Sequence, residues 1–164
     1  MEEIINQINN CEKCNNYSND KIQLKKGLYK YILIIDRLES TIMQDIYQKL
    51  ITDLAMGQGI DIASIYFTTI TKCIGIQNLN IDNCIPYLKA EIVWIQPNVI
   101  VLLGEKVIER LLNITDNIDN IHGNIIEIKG MKYLLTYDLK DVIQNEDIKI
   151  KFWNDIKEAF SGQI

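Results

Sequence analysis

The apolar residues of this chain fall into short blocks whose spacing alternates between two kinds. "YKYILIID" (29–36), "SIYFTTI" (64–70), "NVIVLLG" (98–104) and "MKYLLTY" (131–137) are compact runs rich in β-branched and aromatic residues, and they read as buried strands. Between them the apolar positions recur every three or four residues, as on one face of a helix. "TIMQDIYQKLITDLAMGQG" (41–59) places Ile42, Ile46, Leu50, Ile51 and Leu54 on one side and stops near Gly57 and Gly59. "NCIPYLKAEIVWIQPN" (83–98) reads as a helix capped by Asn83, with Pro86 in its first turn and Pro97 closing it. "EKVIERLL" (105–112) follows its strand directly. "IKIKFWNDIKEAF" (148–160) closes the series with Ile148, Phe152, Trp153, Ile156 and Phe160 on its apolar side.

Strand and helix thus alternate four times. That order predicts a three-layer α/β/α sandwich around a central, mostly parallel sheet of four strands. In such sheets ligands bind beyond the carboxyl ends of the strands, so the segments after residues 36, 70 and 137 are where chemistry is expected. The 164 residues suit one domain, 1–164, with one core. A composition of 48% hydrophobic and 24% charged residues is that of an ordinary globular protein. The apolar runs are too short to span a bilayer, and the acidic start "MEEIINQINNCEKC" does not read as a signal peptide, so the expectation is a cytoplasmic protein with no membrane partner. The formal charge of −5 disfavours a protein that grips duplex DNA mainly through its phosphates, although a local basic face remains compatible with it.

The four cysteines change the picture most. Cys11 and Cys14 form a C-x-x-C behind an N-terminal helix; Cys73 follows the second strand; Cys84 stands eleven residues later where the next helix begins. Four thiols in a cytosolic chain read as metal ligands or buried side chains rather than disulfides. Four thiolates can hold zinc or a [4Fe–4S] cluster. Only the first pair is tight, and a cluster is wider than one ion and accepts ligands from separate loops, which favours iron–sulphur with zinc as the alternative. The sole histidine, His122 in "NIHGN", reads as a turn residue.

This cysteine pattern resembles that of the iron–sulphur uracil-DNA glycosylases, the family 4-like branch of the uracil-DNA glycosylase superfamily. "TITKC" (69–73) is similar to the family's strand ending in Asn-Val-Val-Lys-Cys, and "CIPYLKAEIVWIQPNVIVLLGEKVIERLL" (84–112) to its Cys-x-Pro-Tyr-Leu helix and following strand. "TY" (136–137) and "KFWNDIKEAF" (151–160) resemble its last strand and closing helix. The resemblance runs from residue 11 to about 160 and implies the same α/β/α fold, with Cys11, Cys14, Cys73 and Cys84 as cluster ligands.

The residues that do the family's chemistry are replaced. Where family members carry Gly-Glu-x-Pro-Gly after the first strand, this chain has "DRLES" (36–40), with Asp36 opening the loop and Arg37 in place of the water-positioning Glu. Thr69 stands for the Asn that reads uracil, and Thr lacks the two-sided amide contact. Asp138 replaces the histidine of Thr-Tyr-His-Pro that stabilises charge on the departing base; an ionised carboxylate has the wrong sign for that task. The resemblance therefore implies a non-catalytic relative that binds DNA or a DNA-repair or replication protein. The alternative is an active glycosylase with a divergent site, in which Asp36 or Glu39 positions water and Asp36 and Asp138 form a paired-acid site. That alternative needs a DNA-facing surface, for which Arg37, Lys72, Tyr137 and Lys140 are the candidates. A zinc-stabilised interaction domain outside DNA metabolism is the third reading.

Overall fold

Strand β1 (Tyr31–Ile35) lies inside the sheet, and all five of its residues are apolar and buried, so neither face tolerates water. It pairs in parallel with β2 (Ile65–Thr69) on one side and β3 (Val99–Leu103) on the other, and β3 in turn pairs in parallel with β5 (Met131–Thr136). The computed structural model describes residues 1–161. Its sheet has five strands in the order β2-β1-β3-β5-β4, not four. The additional strand, β4 (Ile125–Ile128), lies antiparallel to β5 at the edge.

Helices cover both faces. Helix α2 (Thr41–Gly57) and the terminal α7 (Glu146–Ser161) enclose one core with Leu33, Ile35, Val101 and Leu134. Helices α3 (Ile85–Ile95) and α4 (Glu105–Leu112) enclose the other with Ile32, Ile34, Ile100 and Leu102. The N-terminal α1 (Glu2–Asn9) lies against α3. Short helices α5 (Ile118–Ile121) and α6 (Leu139–Gln144) flank the β4–β5 hairpin in sequence and were not expected.

Local chemistry sets the boundaries. Ser40 caps α2 by accepting the Met43 N–H at 3.2 Å. Helix α3 starts later than expected: Cys84, not Asn83, holds the cap position, and the Asn83 amide instead donates to Lys13 O at 3.2 Å and to Cys14 Sγ at 3.4 Å. It ends at Gln96, which turns left-handed (φ 51°) before Pro97. The hairpin between β4 and β5 turns on Lys129 (φ 52°) and Gly130 (φ 78°), the two positive φ values that a tight two-residue turn requires.

The chain runs from β1 to β2 on one side and then crosses back to β3 on the other. Between the carboxyl ends of β1 and β3 lies the switch point at which open α/β sheets form their crevice.

Candidate functional site

Residues that follow β1, β2, β3 and β5 meet at this end of the sheet, and each expected site residue is occupied by a neighbour. Asp36 leaves β1 with its carboxylate turned towards α4, where Arg110 Nη1 donates to Oδ1 at 2.6 Å. This ion pair joins the segment after β1 to the helix after β3, so it spans the switch-point crevice. Arg37 points the other way and donates to Gln77 O at 3.1 Å. Thr69 is fully buried, and its hydroxyl donates to Thr71 O at 2.5 Å rather than facing an opening. Glu39 forms an ion pair with Lys140.

Asp138 caps α6. Its Oδ1 accepts the Lys140 N–H at 2.9 Å, and its other side lies on Gly104, the residue between β3 and α4. Burial holds this carboxyl above the ordinary carboxylate range; the Lys140 N–H pulls it down, and the charges of Asp141 and Glu39 push it up again. An ionised Asp138 was expected; a half-buried cap with a raised pKa is found. Gly104 has φ +98°, and a Cβ there would sit 3.1 Å from both Cβ and Oδ2 of Asp138. Gly104→Ala is expected to lower stability by about 1–3 kcal/mol, since backbone strain and the clash add. Urea unfolding measures this, and an unchanged midpoint would show that the Gly104–Asp138 contact yields freely.

The paired-acid arrangement is not formed. Strand β3 lies between the strands carrying Asp36 and Asp138, which places the two backbones roughly 10 Å apart. Asp36 is not among the charges that act on Asp138.

Two expected DNA-facing residues are inside the protein. Lys72 is 1% exposed, and its ammonium contacts Glu91 Oε1 at 2.8 Å, Thr68 Oγ1 at 2.8 Å and Thr69 O at 2.6 Å. Glu91, on the inward face of α3, is 0% exposed. A lysine this deep folds back under its own strand because a buried carboxylate is waiting for it. Tyr137 is equally buried; its hydroxyl donates to Asp119 at 2.7 Å and its ring lies 4.8 Å from that of His122. His122 ends α5, and its Nδ1 stands 3.1 Å from both carboxylate oxygens of Asp155, which also accepts from Thr136 at 2.6 Å.

The four cysteines come from three segments gathered beside α3. A short antiparallel bridge between Lys21 and Cys73 and the Asn83 bonds dock the N-terminal loop onto the segment after β2. Cys73 and Cys84 are buried, Cys11 and Cys14 partly so. Burial raises the Cys84 thiol's pKa, a Lys72 backbone N–H counters this, and nearby Cys73 and Cys14 raise it further. Cys11 enters the group through Tyr87, whose hydroxyl is pushed up to about 12 by burial and by a hydrogen bond shared with Cys11. Among the described residues no three His, Cys, Asp or Glu side chains are arranged to hold a metal ion. The donor chemistry nonetheless suits thiolates: all four sulphurs share one region, and N–H groups of Asn83 and Lys72 point at two of them.

The Uracil DNA glycosylase superfamily model matches residues 23–157, the sheet and every helix from α2 into α7. This chain belongs to the uracil-DNA glycosylase superfamily. A type-4 uracil-DNA glycosylase of Archaeoglobus fulgidus is 25% identical over 123 residues, covering 67% of this chain. The chain spans 62% of that relative's length, less than two thirds.

Sequence reasoning missed Arg110, Glu91 and Asp155. Each is an ordinary helical charge in a one-dimensional reading. Only the inward position of Glu91 on its helix, between the buried Tyr87–Leu88 pair and Ile92, carried a signal.

Proposed function

We propose that this protein is a non-catalytic member of the superfamily, a single domain over residues 1–164 that serves as a cytoplasmic binding module associated with DNA repair or replication. One observation carries the reading: the Arg110–Asp36 ion pair spans the crevice in which a flipped base would have to lie. Asp36, Arg37, Thr69 and Asp138 are the degenerate positions, and each spends its polar atoms on the protein itself. The assay that tests the reading is release of free base from single-stranded DNA carrying uracil or other damaged bases.

Cys11, Cys14, Cys73 and Cys84 are proposed to hold a [4Fe–4S] cluster, with zinc as the alternative. Such a group would supply metal–thiolate bonds that tie the N-terminal loop to the domain. Protein purified without oxygen is expected to be brown, with broad absorption near ~400 nm, and Cys84→Ser is expected to lose that band. A colourless protein with one zinc per chain would assign the site to zinc instead.

A further inference from the structure

At the opposite end of the sheet from the degenerate loops, a cavity of about 670 Å³ runs along β2, the edge strand. Both faces of the strand contribute to it: Ile65 and Phe67 line it with Gln48, Ile51 and Thr52 of α2, and Tyr66 lines it with Tyr29. Residues 23–29 cross over the edge as a strap, with Leu24 packed against the cores on both faces, and line the cavity, which stays partly open to solvent. The strap is braced by Tyr29, whose hydroxyl donates to Lys25 O at 2.6 Å and whose ring lies so close to Gly27 that a Cβ there would meet it at 2.8 Å.

The strap does not pair with the strand. Ile70 N–H donates to Ile35 O and Ser64 O accepts from Lys30, so the even-numbered peptide groups of β2 face β1. In a strand the alternate groups must face away. The Ile65 N–H is taken by Ile62 O of the preceding turn. The Ile65 carbonyl and both peptide groups of Phe67 have no backbone partner among the described residues and face the cavity. An open edge of this kind is a template for one more strand.

The rim carries two lysines against one acid, and this net positive charge suggests the charge of the guest. Lys25 and Lys26 are exposed on the strap, and among the described residues Lys26 has only a solvent-exposed contact with Glu2 at 3.6 Å; Asp61, across the cavity, accepts the Ala63 N–H at 3.0 Å. Leu28 on the strap is 93% exposed and Ile62 on the opposite rim is 40% exposed, two apolar contacts without an internal role. We propose that the β2 edge is a docking site for an extended peptide of a partner protein, with alternating apolar and acidic residues, which adds as a strand beneath the strap. The site goes beyond the reading of the opposite end and stands whether or not that end cleaves DNA.

The probe is a fluorescein-labelled peptide Asp-Val-Asp-Val-Asp-Val, with Lys-Val-Lys-Val-Lys-Val as its charge-reversed counterpart, titrated into the intact protein and read by anisotropy. The acidic peptide is expected to bind and the basic one not. The Lys25→Glu, Lys26→Glu double variant is expected to weaken the acidic peptide on the order of tenfold. Amide exchange then locates the guest: at a free peptide concentration ten times Kd, the Phe67 amide is expected to exchange about tenfold more slowly. Equal binding of both peptides, or binding that leaves Phe67 exchange unchanged, would overturn the site. A concentration-dependent dimer that protects Phe67 without peptide would overturn the peptide and name a second copy of the chain as occupant.

Discussion

Uracil-containing single-stranded DNA incubated with the purified protein is expected to yield no free uracil above the rate without protein. The largest single reason is Asp138. A carboxylate at ~4 Å from a departing uracil anion, at an effective dielectric of about 20, repels it by about 4 kcal/mol, which is roughly three powers of ten in rate. The raised pKa of Asp138 does not rescue the step. One carboxyl oxygen already accepts the Lys140 N–H and the other lies against Gly104, so a proton there has no free path to a substrate. The other losses compound this one: Thr69 donates to Thr71, and Arg37 donates to Gln77. Asp138→His alone is therefore expected to leave the protein silent, because Arg110 still holds Asp36 across the crevice. Chromatographic detection of the free base decides the matter. Release of uracil that both Asp138→Asn and Asp36→Asn abolish would establish the paired-acid enzyme instead.

The largest expected effect on stability lies at Lys72 and Glu91. Glu91→Leu strands a buried ammonium, and Lys72→Met strands a buried carboxylate; each is expected to cost about 3–5 kcal/mol. Against a typical domain stability of about 5–15 kcal/mol this is at least about a fifth of the total. Burial already pulls the Lys72 pKa down, opposed by the Glu91 charge, so a lysine left without that charge is driven towards its neutral form. The double variant Lys72→Met, Glu91→Leu is expected to recover most of the loss, since two well-packed apolar side chains replace an ion pair with little change. Recovery stops short of complete because Thr69 O and Thr68 Oγ1 lose the ammonium that satisfies them, about 1–3 kcal/mol for a buried group left unmade. Urea unfolding of the four proteins measures the coupling. Additive single losses would mean that the two charges do not depend on each other.

The sheet and its long helices were legible because parallel strands buried on both faces read as unbroken apolar runs, and Pro97 marks the end of α3 by local chemistry. Strand β4 was not, although "IIEIKGMKY" contains its signal: two β-prone runs joined by Lys129-Gly130. Its residues are mostly exposed, so they lack the apolar density that marks the other strands. Lys72 and Tyr137 were misplaced for a related reason. A side chain with a polar tip reads as a surface group until its buried partner is known, and the partners here, Glu91 and Asp119, lie 19 and 18 residues away. The same holds at the crevice, where Asp36 meets Arg110 across 74 residues.

Phe160, at the far end of α7, stacks on Tyr31 at the head of β1 with ring centroids 3.8 Å apart, and Phe152, Ile156 and Ala159 fill the same core. The part of this face that α2 leaves open therefore waits for the last helix. At a typical synthesis rate the interval between making the first strand and making its cover is roughly ten seconds. For that time the nascent chain carries an uncovered, strand-prone apolar surface, so its yield in a cell depends on what shields it at the ribosome as well as on how stable the finished protein is.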